Sequence, residues 1–219
     1  MKKGQILSLI ILLVLVADQC LKFYIKTNYS IGGGFNILGL DWARIHFVEN
    51  RGMAFGLSFG GVIGKYILSG FRIIMVGFLI YFLRGLMKTQ HPFGLQISFA
   101  LIIAGAIGNI IDSMFYGLLF SESCFHCGVA EFLPAGGGYA GFLQGSVVDM
   151  FYFPMIDTRL PEWIPLIGGN EFAFFKPVFN IADSSISIGV ALILIFYRSF
   201  FIGGKKKAEG NPEITTQEI

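Results

Sequence analysis

Two apolar stretches of the chain carry the same polar signature, Asn-x-x-Asp: Asn109 to Asp112 in AGAIGNIIDSM, and Asn180 to Asp183 in KPVFNIADSSI. An ionisable group within or beside a membrane span costs about 2.5–3.5 kcal/mol on insertion scales, so such acids are candidates for a functional site. Asp149 lies in the apolar, strand-like run SVVDMFYF with Val147, Val148, Met150 and Phe151 around it, a setting in which desolvation disfavours the charged form. Two carboxylates brought together there share one proton and titrate as a unit. This is the chemistry of an aspartic peptidase. The ionised acid takes a proton from the attacking water while the protonated acid polarises the scissile carbonyl. Such a reaction calls for no metal and no other cofactor.

Asn109 and Asp112 fall on one helix face at i and i+3, as do Asn180 and Asp183. Each Asn can bond a carboxylate, a water or a substrate amide without adding charge. Asp18 and Lys22 stand at i and i+4, the spacing of a favourable ion pair, which points to an orienting role.

The elements that position these groups follow from composition: 54% hydrophobic and 14% charged residues, with mean hydropathy +0.70, describe an integral membrane protein. A span needs about 20 mainly apolar residues; four are predicted, over about 5–26, 62–83, 94–118 and 179–202. A net charge of +2, with no basic, aromatic-interleaved patch and no glycine-rich phosphate loop, gives no reason to expect a nucleic-acid partner. The first apolar run ends in ADQCLKFYI, where Asp18 and Gln19 replace the small residues of a cleavage site, so it reads as a retained helix. Lys2, Lys3, Arg84, Lys88, Arg198 and Lys205 to Lys207 flank the spans on one side, against Lys26, Arg44, Arg51 and Lys65 in the first loop of the other, and this moderate bias predicts cytoplasmic termini. At ~1.5 Å per residue, Asp112 then stands about 27 Å from the cytoplasmic start of the third span. Asp18, Asp149 and Asp183 come to a similar depth, near the outer interface.

The first outer loop reads as a small sheet in which ARIHFVEN and MAFGLSF are joined at the Arg51-Gly52 turn. The long segment from about 119 to 178 is broken by Gly136 to Gly138, Gly141, Pro134, Pro154, Pro161 and Pro165. It is expected to be irregular, either a lid over the site or an anchor dipping Trp163, Tyr139, Phe142 and Phe172 into the interface. Cys124 and Cys127 form a C-x-x-C beside His126, but His46 and His91 lie far away in sequence, so a zinc site is disfavoured. A local disulfide and an inert loop remain open there, and Cys20 reads as small core. The terminal GGKKKAEGNPEITTQEI has the composition of a disordered tail.

Taken together, these residues give a chain that resembles the bacterial lipoprotein signal peptidases, the type II signal peptidases of the inner membrane. The blocks appear in order: DQCLK at Asp18 to Lys22, ENRGMAFG at Glu49 to Gly56, GNIID at Gly108 to Asp112, VVDMF at Val147 to Phe151, and FNIAD at Phe179 to Asp183. The resemblance implies four transmembrane helices with a small periplasmic β-cradle over about 35–61 and a long periplasmic loop over about 119–178. It makes residues 1–203 one membrane peptidase domain, followed by a cytoplasmic tail over 204–219. Asp149 and Asp183 would be the catalytic dyad. Asp18, Lys22, Asn50, Gly52, Asn109, Asp112 and Asn180 would support the site or meet the substrate. The partners implied are diacylglyceryl-modified prolipoproteins, cut just before the lipidated cysteine, and membrane lipids. The location implied is the bacterial inner membrane, with the active site near the periplasmic face.

Two departures stand out. The family usually follows GNxxD with Arg, where this chain has Ser113, and the long loop exceeds the family's usual connection. Arg72, about 18 Å above the cytoplasmic end of the second span at 1.5 Å per residue, is a candidate substitute; the alternative is that it snorkels to head groups.

Three other functions compete. A transporter or proton relay also uses intramembrane acids, but four spans without paired repeats fit it poorly. A structural membrane protein has no need of two Asn-x-x-Asp faces. A serine hydrolase would use Ser113, Ser184 or Ser185, yet these follow acids, and no G-x-S-x-G turn is present.

Overall fold

A computed structural model describes residues 2–50, 61–89, 91–126, 128–154, 156–159, 161, 163, 169, 171–174 and 177–202 of the 219. The expected MAFGLSF strand, the turn at Arg51-Gly52, Cys127 and the tail lie outside the described residues. Helix α1 covers Lys3–Asn28, α2 Gly61–Lys88 and α3 Phe93–Ile111. The third continues through a widened π turn, Asp112–Tyr116, into the short α4, Gly117–Leu119. Helix α5 is Ile181–Phe196, and α6 is Arg198–Ile202.

Lys3–Asn28, Ile63–Lys88 and Phe93–Leu119 are long and apolar enough to cross a membrane. Their exposed faces are apolar, as lipid requires. On α2 a stripe of Ile63, Ile67, Phe71, Ile74, Phe78 and Tyr81 is exposed, at the spacing of one helix face. The opposite face packs inward through Ser69, Val76, Leu83 and Leu86.

The fourth predicted span is shorter than expected. Phe179 belongs to a strand instead, Asn180 caps the helix, and the backbone at Tyr197 (φ −125°, ψ 16°) interrupts it after 16 residues. Helix α5 packs along α3. A Cβ at Gly105 would meet the Ala182 carbonyl oxygen at 2.1 Å, and one at Gly108 would meet Asp18 Oδ2 at 2.8 Å. Gly105 therefore lets α5 approach α3 this closely, and Gly108, one turn on, makes room for the Asp18 carboxylate of α1.

The strands are β1 Gly34–Asn36, β2 Arg44–Asn50, β3 Val147–Tyr152, β4 Ile156–Arg159, β5 Glu171–Phe174 and β6 Val178–Phe179. They form an antiparallel sheet in the order β1-β2-β3-β6 and a separate β4-β5 pair. Sequence alternation locates β2 and the apolar run SVVDMFYF locates β3, but the cradle that the resemblance implies falls within residues 35–61. Two of the four strands of the larger sheet come instead from the long segment, whose described residues hold four strands, three of them where irregular chain was expected. Register sets Val48 opposite Asp149 and Asn50 opposite Val147, with a shift between Ile45 and Val48.

Two apolar clusters hold the elements. One joins the helices through Leu7, Leu83, Leu95, Phe99, Ile103 and Ile193. The other seats the sheet on α1 and the end of α3 through Ile25, Phe47, Tyr116, Phe120, Val148 and Met150. Val148 and Met150 alternate with Asp149 along β3, so the carboxylate leaves the sheet on the opposite face.

Cys20, read as small core, is exposed on α1. The buried positions in the C-terminal half of that helix are Asp18, Lys22, Ile25 and Lys26 instead, because the polar site lies on this side. Cys124 is disulfide-bonded. Tyr139 turns inward against the second cluster rather than to an interface, with the Lys26 ammonium 5.1 Å from its ring centroid.

Candidate active site

The site forms where the start of α5, strand β3 and the outer end of α3 meet beside α1. Asn180 is the N-cap of α5: its side-chain Oδ1 accepts from the Asp183 N–H at 2.8 Å. That satisfies one of the orphan donors of the first turn. Asp183 therefore sits where a helix N-terminus favours negative charge.

The same asparagine reaches β3. Its Nδ2 donates to Asp149 Oδ1 at 2.6 Å, to the Val148 carbonyl at 3.2 Å and to Asn109 Oδ1 at 3.1 Å. Two hydrogens are shared among three acceptors, so this amide cannot rotate without losing bonds. Asn109 completes the link, donating from Nδ2 to Asp183 Oδ1 at 2.8 Å. Asp149 and Asp183, more than thirty residues apart in sequence, are thus joined through two neutral amides.

Burial pushes the Asp149 carboxyl up to about 8, and the Asp183 charge adds to the rise; Lys22 and the Asn180 bond oppose it. Near neutral pH Asp149 therefore holds a proton.

Behind the pair lies a buried charged cluster. The Lys22 ammonium is 2.8 Å from Asp18 Oδ2 and 2.8 Å from Asp112 Oδ2, and donates to Asn109 Oδ1 at 2.9 Å. Its three hydrogens are all used. Each acid then holds the backbone beside one member of the pair: Asp112 Oδ2 accepts from the Val148 N–H at 3.2 Å, and Asp18 Oδ1 from the Ala182 N–H at 2.9 Å. Gln19 ties the two, donating to Asp18 Oδ2 at 3.1 Å and Asp112 Oδ1 at 2.9 Å. The π turn at Asp112 frees carbonyls for the long loop, with the Gly145 N–H donating to the Ser113 carbonyl at 2.9 Å.

The structure brings together Asp18, Lys22, Asn109, Asp112, Asp149, Asn180 and Asp183. Asn50 lies beside them on a small cleft, and Gly52 is outside the described residues. Sequence reading missed Gln19, although it lies between the two charged positions of its block. It also missed the inward turn of Lys26, which pairs with Glu49 and donates to Ser123 Oγ at 2.8 Å. The serines face no base: Ser113, Ser184 and Ser185 donate to the carbonyls of Asn109, Asn180 and Leu101. Among the described residues no group of three His, Cys, Asp or Glu is arranged to hold a metal ion.

This geometry has relatives. The family model described as signal peptidase (SPase) II matches residues 10–200. The chain is 47% identical over 220 residues to a lipoprotein signal peptidase of Porphyromonas gingivalis, covering 99% of this chain and 93% of that protein. It is 35% identical to one of Amoebophilus asiaticus, covering 96% and 84%. Among solved structures, a bacterial membrane enzyme determined by the in meso method at 2.3 Å resolution aligns with TM-score 0.56 and 25% identity, over 94% of this chain and 95% of that one.

Proposed function

The chain belongs to the signal peptidase II family, and from that premise we propose that Asp149 and Asp183 are its catalytic dyad. The protein is a membrane aspartic endopeptidase that removes signal peptides from prolipoproteins. Its substrates are diacylglyceryl-modified, and the cut falls just before the lipidated cysteine. The observation that carries the site is the continuous bond from Asp183 through Asn109 and Asn180 to Asp149.

Asp183, ionised at the start of α5, takes a proton from a water held between the acids. The water oxygen attacks the scissile carbonyl carbon, and Asp149 gives its proton to the carbonyl oxygen. The C–N bond then breaks as the proton on Asp183 passes to the departing nitrogen and Asp149 recovers its own. One water is consumed, and a carboxyl and an amine are released. Asn109 and Asn180 keep the two carboxyls in register throughout. Asp18, Lys22 and Asp112 fix the strand and helix that carry them.

The architecture that fits this chemistry has four spans, with α5 and α6 as the fourth, in the bacterial inner membrane. Both termini are cytoplasmic. The sheet and the dyad stand at the periplasmic face, so the substrate's lipid stays in the bilayer while its peptide bond reaches the acids. Residues 1–203 act as one domain, with 204–219 as a tail. Asn50 and Gly52 meet the peptide. A proton relay finds no support in the relatives.

The test is product identity. Purified enzyme in detergent is incubated with one prolipoprotein, with and without its diacylglyceryl group, and the fragments are weighed by mass spectrometry. A mature fragment beginning at the lipidated cysteine, formed from the modified form alone, is expected. A cut elsewhere, or equal cutting of the unmodified form, contradicts the assignment.

A further inference from the structure

Arg72 lies in the middle of α2, on the face turned away from the exposed apolar stripe. It lines a cleft with Asn50, Lys65, Ser69, Ser113 and Val147. An intramembrane guanidinium demands a reason. Its neighbours in the cleft are already engaged with the long loop: Lys65 Nζ donates to the Gln144 carbonyl at 2.7 Å and Ser69 Oγ to that of Leu143 at 3.2 Å. Arg72 makes no hydrogen bond or ion pair among the described residues, and the carboxylates that act on its charge from a distance are Asp183, Asp149 and Asp112, in that order.

The cleft is the continuation of the dyad on both walls. Val147 is two residues before Asp149 on the same face of β3, roughly 7 Å along an extended chain. Ser113 is one turn beyond Asn109 and donates to its carbonyl, an offset of roughly 6 Å. A substrate held extended with its scissile carbonyl at the acids therefore presents a main-chain carbonyl about two residues away at this cleft. Carbonyl oxygens are acceptors, and a guanidinium is a rigid set of donors.

On the footing of the proposed dyad, we propose that Arg72 binds the substrate, donating to a main-chain carbonyl of the signal peptide about two residues from the scissile bond. The contact reads backbone rather than side chain, so it adds affinity without restricting sequence. The signal peptide would displace whatever solvent the guanidinium holds in the free enzyme.

The test compares wild type, Arg72→Gln, Arg72→Met and Arg72→Gln/Ser113→Arg on one diacylglyceryl-modified prolipopeptide. KM, kcat, the pH profile and the thermal midpoint are measured for each, with Asp149→Asn alongside. Arg72 has no partner among the described residues, so unchanged midpoints are expected when its charge is removed; Arg72→Met keeps the apolar stem should Gln disturb packing. The expected result is a loss of about 10- to 100-fold in kcat/KM, carried by KM, with the pH profile unmoved. Returning a guanidinium from the facing wall at Ser113 recovers part of it. Activity within twofold of wild type in both single variants would overturn the proposal. So would a loss expressed as a displaced pH profile at constant KM, which would make Arg72 a charge acting on the acids. Failure of the dyad itself is read separately, as retained cleavage by Asp149→Asn.

Discussion

Asn180 donates to Asp149 Oδ1 at 2.6 Å with the same side chain whose oxygen caps the helix carrying Asp183. One residue thereby sets the distance between a strand carboxyl and a helix carboxyl. Its two functions separate chemically, because capping uses the oxygen and the dyad contact uses the nitrogen.

Asn180→Ser keeps a capping oxygen and loses the Nδ2 donor, whereas Asn180→Ala loses both. The serine variant is expected to melt near wild type and the alanine variant to lose about 1 kcal/mol more. Both should lose about 10²-fold in kcat/KM, the scale of a misplaced catalytic group. Thermal unfolding in detergent and cleavage rates check this. Wild-type kinetics in Asn180→Ser would show that the Asp149 contact does not matter.

The raised Asp149 carboxyl gives a pH dependence of definite sign. Activity needs its proton, so cleavage should fall as pH rises through about 8. Stability follows the same direction. In the unfolded chain an Asp loses its proton near 3.9, so the folded state binds more protons above that value. The stabilising contribution is full below about 4 and is lost as pH rises through about 8. The thermal midpoint of wild type should therefore drop across that window relative to Asp149→Asn, and a parallel pair of curves would contradict the assignment.

Lys22 is fully buried between Asp18 and Asp112. Lys22→Met leaves two buried carboxylates facing each other without a cation, at a cost of about 3–5 kcal/mol. Lys22→Met/Asp112→Asn should regain part of that stability without regaining activity, since the Val148 N–H and Asn109 lose their charged partners. Unfolding midpoints and cleavage of the double variant are the readouts. A double variant no more stable than Lys22→Met would count against the charged cluster as the reason for the loss.

Much of this site is legible in the sequence, in a particular sense. The i, i+4 spacing gives the Asp18–Lys22 pair, alternation gives β2, and the apolar run around Asp149 gives β3, each to within a residue or two. What periodicity cannot encode is which faces meet. The Lys22–Asp112 pair crosses from α1 to α3, and β2 pairs with β3 about a hundred residues further on. Lys26 reads as a flank charge because its position in the chain resembles an interface, yet it turns inward to Glu49 and Ser123. Cys20 reads as core because small residues usually are. Here the inward face of α1 is the polar one. The length of the fourth helix was missed because Phe179, apolar enough for a span, pairs with Phe151 at one end, and the backbone at Tyr197 leaves helical geometry at the other.

The most direct test of the dyad compares wild type, Asp149→Asn and Asp183→Asn on a diacylglyceryl-modified prolipoprotein, each variant first shown to be folded by its thermal transition. Each change removes one half of a shared-proton pair, so both variants should lose cleavage by about 10³-fold or more, as expected when a general acid or base is removed. Cleavage persisting near the wild-type rate in either variant would contradict the account.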